Sequence, residues 1–189
     1  KLMQRRIEAL EQNGHNTDKI EYITKGGTWN AYPLKYQYWY ILESFKACNN
    51  LSRRKEIAFT EEEYWNDKPL QELMDAVEVE QRYNEGAKHR IIGITLETRP
   101  DAITAKTIAH MRAQGCTRVE LGLQATDDQI LDLVKRVHSV DEFRKACICC
   151  ARLGLKLICT LCQICLELLL IMMLTCIKKF FLIQHSSLT

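Results

Sequence analysis

Residues 91–98 read IIGITLET, and Pro100 follows two positions later. A short, nearly continuous apolar run closed by a proline has the pattern of a strand buried on both faces, and such strands belong to parallel sheets. Parallel neighbours cannot be joined by a hairpin. They need long crossovers, usually helical, so the pattern predicts helices on either side of this strand.

The rest of the chain supplies them. Residues 1–13 put Leu2, Ile7 and Leu10 on one helical face, with Gly14 as a stop. Lys19 to Thr24 is β-rich and runs into Gly26-Gly27. Pro33 opens an aromatic-rich helix to about Cys48, and residues 49–67 read as polar and irregular. Leu70, Leu73, Met74 and Val77 mark a helix over 70–83. After the apolar strand come a helix from Thr104 to Gln114, a strand from Arg118 to Gln124, and helices over 127–135 and 140–152. A last strand spans 155–160. Strands recurring with helical connections, joined by right-handed crossovers, predict an α/β fold: an open or closed βα barrel.

The chain's 189 residues and 47% hydrophobic content suit one domain with a real core. A formal charge of +2 neither demands nor excludes RNA. No charged-then-apolar leader follows Lys1, and a start at lysine is expected to leave upstream sequence outside this chain.

In βα folds chemistry sits at the C-terminal ends of strands. Those ends here are Gly26-Gly27-Thr28, Glu97-Thr98-Arg99-Pro100 and Gln124. Two glycines without side chains let backbone groups approach a ligand, or simply make a tight βα turn. Glu97 and Arg99 end a buried strand, where charges are costly unless paired with each other or bound to a ligand. Gln124 reads as a hydrogen-bonding end of the next strand or as a cap on the loop. Lys19 on its own is a solvated lysine at a strand start, and His15 a contact at a helix exit. Lys135, Arg136 and His138 form a small basic group that reads as a solvated helix end or a phosphate contact.

Four stretches carry a resemblance: GHNTDKIEYITKGGTW from Gly14, GITLETRPD from Gly93, GCTRVELGLQ from Gly115 and KRVHSV from Lys135. In order and spacing they resemble the radical S-adenosylmethionine (SAM) domain of the Elongator catalytic-subunit family, over roughly residues 1–158. The resemblance implies a partial (βα) barrel of the radical SAM type, truncated at both ends, with residues 1–160 as a core fragment. It implies that Gly26, Gly27, Thr28, Glu97, Arg99 and Gln124 lie on the SAM side, with Gln124 toward ribose or adenine. It also implies that Lys19 meets the phosphates of acetyl-CoA as a point charge, and that Lys135, Arg136 and His138 meet tRNA or phosphate. The family has glycine where this chain has Val137, and a β-branched residue takes positive φ poorly, so an altered turn is expected there.

The activity so implied is formation of carboxymethyluridine at the tRNA wobble position. A reduced [4Fe-4S] cluster cleaves SAM, hydrogen is abstracted from the acetyl group of acetyl-CoA, and the carbon adds to C5 of uridine before hydrolysis. The cluster ligands are implied upstream of this fragment, with no metal ligands within it. The fragment alone is expected to be inactive. tRNA and other Elongator subunits are the implied partners, in the cytoplasm and without a membrane.

Nine cysteines are present, and only Cys48 and Cys116 precede residue 147. Cys159, Cys162 and Cys165 have the spacing of iron–sulfur ligands, which supports a rival reading as a non-enzymatic cluster or metal module. Cys147, Cys149 and Cys150 read as buried or half-buried thiols of a helix. The tail also carries an apolar run over 168–174, too short to span a bilayer.

A different origin accounts for both features of the tail. Back-translated with permitted codons and read from the third base of codon 161, it spells MPNLLGATPDNDVDMYKKIFSDPAFKPD. That string is similar to the family's continuation. Residues 161–189 are therefore expected to be frame-shifted. Sequencing the DNA across codon 161 should show an alternative frame encoding the MPNLLG turn; a frame that cannot encode it contradicts the reading.

Overall fold

The computed structural model describes residues 2–53 and 66–161. Along them run α1 (Leu2–Gln12), β1 (Lys19–Thr24), α2 (Leu34–Arg53), α3 (Leu70–Asn84), β2 (Arg90–Thr98) and α4 (Ala105–Ala113). Then follow β3 (Arg118–Gln124), α5 (Asp128–Leu133), α6 (Val140–Arg152) and β4 (Lys156–Leu161). The strands form one four-stranded sheet in the order β1-β2-β3-β4, every neighbouring pair parallel. This is the α/β arrangement of a partial βα barrel, in which each helical return lays the next strand beside the last.

Register and alternation sort the side chains onto two faces. Tyr22 pairs with Ile94, Leu96 with Val119 and Leu121 with Cys159, so these share a face. Tyr22, Ile94, Leu96, Val119 and Leu121 pack into one apolar core with Tyr38, Ile41 and Phe45 of α2, Leu73 and Val77 of α3, Met111 of α4 and Phe143 of α6. On the other face Ile23 pairs with Thr95, Glu97 with Glu120 and Gly122 with Thr160. That face is polar and partly open, with Ile23 48% and Ile158 36% exposed.

Two expectations need correction. The IIGITLET strand is buried on both faces at its centre, where Ile94, Thr95 and Leu96 are at most 5% exposed, but not at its start. A register shift between Ile20 and Glu21 leaves Ile92 as an extra residue on β2, and it is 53% exposed. Helix α2 also continues past Cys48 through Asn49 to Arg53. Asn49 reads as a helix breaker, but it is fully buried and donates to the Glu80 carbonyl of α3 at 2.9 Å. Tertiary hydrogen bonding overrides its local preference.

Asn49 belongs to a buried amide network that anchors the start of β2. Asn84 Nδ2 donates to Asn49 Oδ1 at 2.7 Å and to the His89 carbonyl at 3.0 Å, while Asn84 Oδ1 accepts from Ile91 N–H at 2.7 Å. His89 Nδ1 in turn lies 3.1 Å from the Thr17 carbonyl, just before β1. Asn84→Ala would strand several buried partners at once and should cost about 3 kcal/mol in a urea titration. Glu78→Ala, on the exposed side of α3, serves as the near-neutral control. Equal effects of the two substitutions would contradict the assignment of this network as an anchor.

Candidate cofactor-binding site at the strand C-termini

The chain leaves β1 over its neighbours. Thr24 Oγ1 donates to the Thr95 carbonyl at 3.2 Å. Gly26 has φ +99°, a conformation that favours glycine, and its N–H donates to Glu97 Oε2 at 3.1 Å. Lys25 Nζ reaches Glu120 Oε1 at 3.4 Å; the Glu120 side chain is 7% exposed and that of Lys25 65%. The carboxylate on β2 thus holds the turn by its backbone, and the one on β3 holds it through a lysine. A buried carboxylate is retained only with such partners.

Beyond the turn, Thr28 accepts from Ala31 N–H at 2.9 Å through its carbonyl, and its side chain makes no capping hydrogen bond. A chain of amides then fixes the segment. Trp29 Nε1 donates to Gln114 Oε1 at 2.9 Å, Gln114 Nε2 to Gln37 Oε1 at 3.1 Å, and Gln37 Nε2 to the Tyr32 carbonyl at 2.9 Å. A cavity of about 130 Å³ lies beside the turn, lined by Lys25, Gly27, Tyr32, Tyr36, Tyr40 and Glu97 among others. A Cβ on Gly27 would stand 3.5 Å from Tyr32 Oη, in ordinary contact, so the turn has room for a methyl group, and a longer side chain would enter the cavity that Gly27 lines.

Glu97 and Arg99 both sit at this end, yet not as a pair. Arg99 binds Asp101 with two hydrogen bonds, of 3.0 and 2.6 Å, in the short 3₁₀ turn Pro100–Ala102. Gln124 ends β3 with φ +71°. Gly26, Glu97, Arg99 and Gln124 therefore gather at the C-terminal ends of β1, β2 and β3. Lys19 does not join them. It opens β1, paired with Arg90, and a strand of that length puts it about 20 Å from the turn.

The basic group of residues 135–138 divides, which corrects the expectation of one phosphate-facing cluster. Lys135 and Arg136 are exposed, whereas His138 is 3% exposed and hydrogen-bonds the Leu123 carbonyl at 3.2 Å. Val137 itself avoids the left-handed region, as a β-branched residue should. The left-handed residue is Lys135, with φ +55°.

Sequence reasoning passed over Lys25 and Glu120. A glutamate inside the strand RVELGLQ, next to a lysine-led glycine pair, was the available signal, because a carboxylate within a buried strand needs a partner.

The residues fit an adenosyl cofactor in kind. The turn offers backbone without side chains, Glu97 offers an acceptor for an ammonium group, and Gln124 offers an amide at the same end. They do not fit a cluster. Among the described residues no group of three Cys, His, Asp or Glu could hold a metal ion. Cys162 and Cys165 of the proposed ligand run, and all of the segment read as frame-shifted except Leu161, lie outside the described residues. Cys150 is buried, Cys147 and Cys149 are half-buried and Cys159 is exposed. No helix of the described residues is long and apolar enough to cross a membrane.

A parallel sheet with helical returns and a polar cluster at its strand C-termini defines a βα-barrel segment with a candidate ligand site. The radical SAM superfamily profile matches residues 36–165. The chain is 43% identical over 141 residues to a tRNA uridine(34) acetyltransferase of Methanocaldococcus infernus, covering 75% of this chain and 22% of that protein. It is 33% identical over 135 residues to Elongator complex protein 3 of Drosophila melanogaster, covering 71% of this chain and 21% of that protein. The structure of archaeal Methanocaldococcus infernus Elp3 with an N-terminal deletion superposes with a TM-score of 0.68 at 40% identity, over 84% of this chain and 32% of that one. The chain belongs to the radical SAM superfamily, and its similarity to the Elongator catalytic subunit is borne out. It spans about a fifth of the length of these curated relatives.

The thiols give a direct check on the packing. Burial pushes Cys48 and Cys150 up to about 12 and Cys116 up to about 11, from 9.0. The folded chain thus keeps protons that the unfolded chain releases near pH 9. This contribution to stability is full below pH 9 and is lost as pH rises through 11 to 12. At neutral pH a maleimide should label the exposed Cys159 well before Cys48, Cys116 or Cys150, as read by peptide mass spectrometry. Equal labelling rates in the folded protein would contradict the core described here.

Proposed function

We propose that the longer protein this chain represents modifies uridine 34 of tRNA, using SAM and acetyl-CoA to install a carboxymethyl group, and that residues 1–160 are part of its radical SAM core. The observation that carries this reading is the convergence of Gly26-Gly27, Glu97 and Gln124 at one end of a parallel sheet. The names of its relatives support the same substrate.

Bound SAM supplies the hydrogen-abstracting group; the part of this chain is to hold it. The unhindered backbone of Gly26 and Gly27, with the Glu97 carboxylate behind it, takes the methionine ammonium. Thr28 flanks that end, and Arg99, already oriented by Asp101, faces carboxylate oxygens. The Gln124 amide takes a ribose or adenine edge. Lys19, at the opposite end of β1, takes a phosphate of acetyl-CoA, and the exposed Lys135 and Arg136 take tRNA phosphates. His138 is too buried for that role. The proposed setting is the cytoplasm, and other Elongator subunits are the proposed protein partners.

The test uses the full-length, in-frame protein. Gly27→Leu should abolish SAM binding in equilibrium dialysis and production of 5′-deoxyadenosine, because the added side chain fills the space beside Tyr32. Gly27→Ala, which only meets Tyr32 Oη at contact distance, should keep the fold and serve as the control. Undiminished 5′-deoxyadenosine from the leucine variant would contradict the placement of the cofactor.

A further inference from the structure

Gln124 takes a conformation that a glutamine does not adopt without support. Its φ of +71° is a left-handed value, and such strain, of order 1 kcal/mol or more, persists only where the surroundings over-determine it. The turn itself is tight: Ala125 N–H donates to the Leu123 carbonyl at 2.9 Å, closing a three-residue γ-turn around Gln124. The register of β3 on β4 also skips here, from Gly122↔Thr160 to Gln124↔Leu161.

Two features outside the turn hold it. The Leu123 carbonyl accepts a second hydrogen bond from His138 Nε2 at 3.2 Å, in a buried setting. A carbonyl can only accept, so Nε2 carries the hydrogen. The other ring nitrogen, Nδ1, is buried without a partner among the described residues, leaving this bond as the ring's one polar tie. The second feature is Gly122, on the polar face of the sheet. A Cβ there would stand 2.5 Å from Gln124 Nε2, so the amide lies folded over Gly122, with Thr160 Oγ1 on its far side at 3.8 Å from the same point.

The loop that carries His138 is fixed at both ends. At the exit of α5, Lys135 N–H donates to the Asp132 carbonyl at 3.0 Å and Arg136 N–H to that of Leu131 at 2.8 Å, a helix stop with Lys135 in the left-handed position. At the entry of α6, Ser139 and Glu142 form a capping box, and Val140 N–H donates to Asp128 Oδ1 at 2.7 Å. The imidazole is thus delivered to Leu123 by backbone that has little freedom.

We propose that His138 is a positioning residue. Its Nε2–H clamps the Leu123 carbonyl, keeps Gln124 left-handed, and so lays the Gln124 amide over Gly122 on the polar face, where the adenosyl part of the cofactor is read. This rests on the assignment of Gln124 as a nucleoside contact, and deepens it.

The experiment uses the full-length protein, with S-adenosylhomocysteine as the probe in equilibrium binding and hydrogen exchange across 119–126 as a second readout. His138→Leu removes the donor and should raise Kd roughly tenfold and speed exchange of the Ala125 amide. His138→Gln places an amide N–H near the same carbonyl and should restore most of both. In a Gln124→Ala background His138→Leu should add no further loss of affinity, because the clamp acts through Gln124. Gly122→Ala, which displaces the same amide with His138 intact, should weaken binding only while Gln124 is present, and it keeps the test open if His138→Leu fails to fold. The proposal is overturned if His138→Leu costs the same factor with and without Gln124, or leaves exchange at Ala125 unchanged. If Gln124→Ala alone leaves affinity unchanged while His138→Leu still speeds exchange, the clamp stands and the cofactor role of Gln124 falls.

Discussion

Glu97 and Glu120 stand side by side on neighbouring parallel strands, in register and on the same face. Two carboxylates so placed repel each other, and Glu120 is almost wholly buried. The arrangement holds because the chain leaving β1 crosses over both. Gly26 gives one carboxylate its N–H and Lys25 gives the other its ammonium. The glycine turn, the polar face and the relative height of three strand ends all depend on that crossing. Gly26 must then be left-handed, and the next residue stands in ordinary contact range of the Tyr32 hydroxyl.

Precision at this end is supplied from the helical side. The Trp29–Gln114–Gln37–Tyr32 chain ties the loop after the glycines to α2 and to the end of α4. The Asn84 network fixes where β2 begins and, through His89, where β1 begins. These buried amides set the strands' positions at their N-terminal ends, so their C-terminal ends arrive at defined heights. Irregular loops carrying a site on a scaffold locked in this way are the usual division of labour in α/β proteins.

Much of this was legible in the sequence. The order of helices and strands follows from hydrophobic period and glycine stops, and the strand ends alone point to Gly26, Glu97, Arg99 and Gln124. What escaped has physical causes. Asn49 looks like a helix end because its local preference is for turns, and only its distant partners on α3 keep α2 going. The partner of Arg99 is Asp101 rather than Glu97, a choice of rotamer that spacing does not encode. His138 looks like part of a basic surface group because it follows Lys135 and Arg136, and its burial depends on β3, fifteen residues earlier. The left-handed Gln124 carries no glycine to announce it.

The central claim is that the C-terminal ends of β1, β2 and β3 form the cofactor site of this radical SAM chain. A structure of the full-length protein with S-adenosylhomocysteine bound tests it most directly. The account predicts the amino group within hydrogen-bonding distance of the Gly26-Gly27 backbone or the Glu97 carboxylate, and a ribose or adenine atom on the Gln124 amide. A nucleoside seated at the opposite end of the sheet, near Lys19 and Arg90, would contradict it.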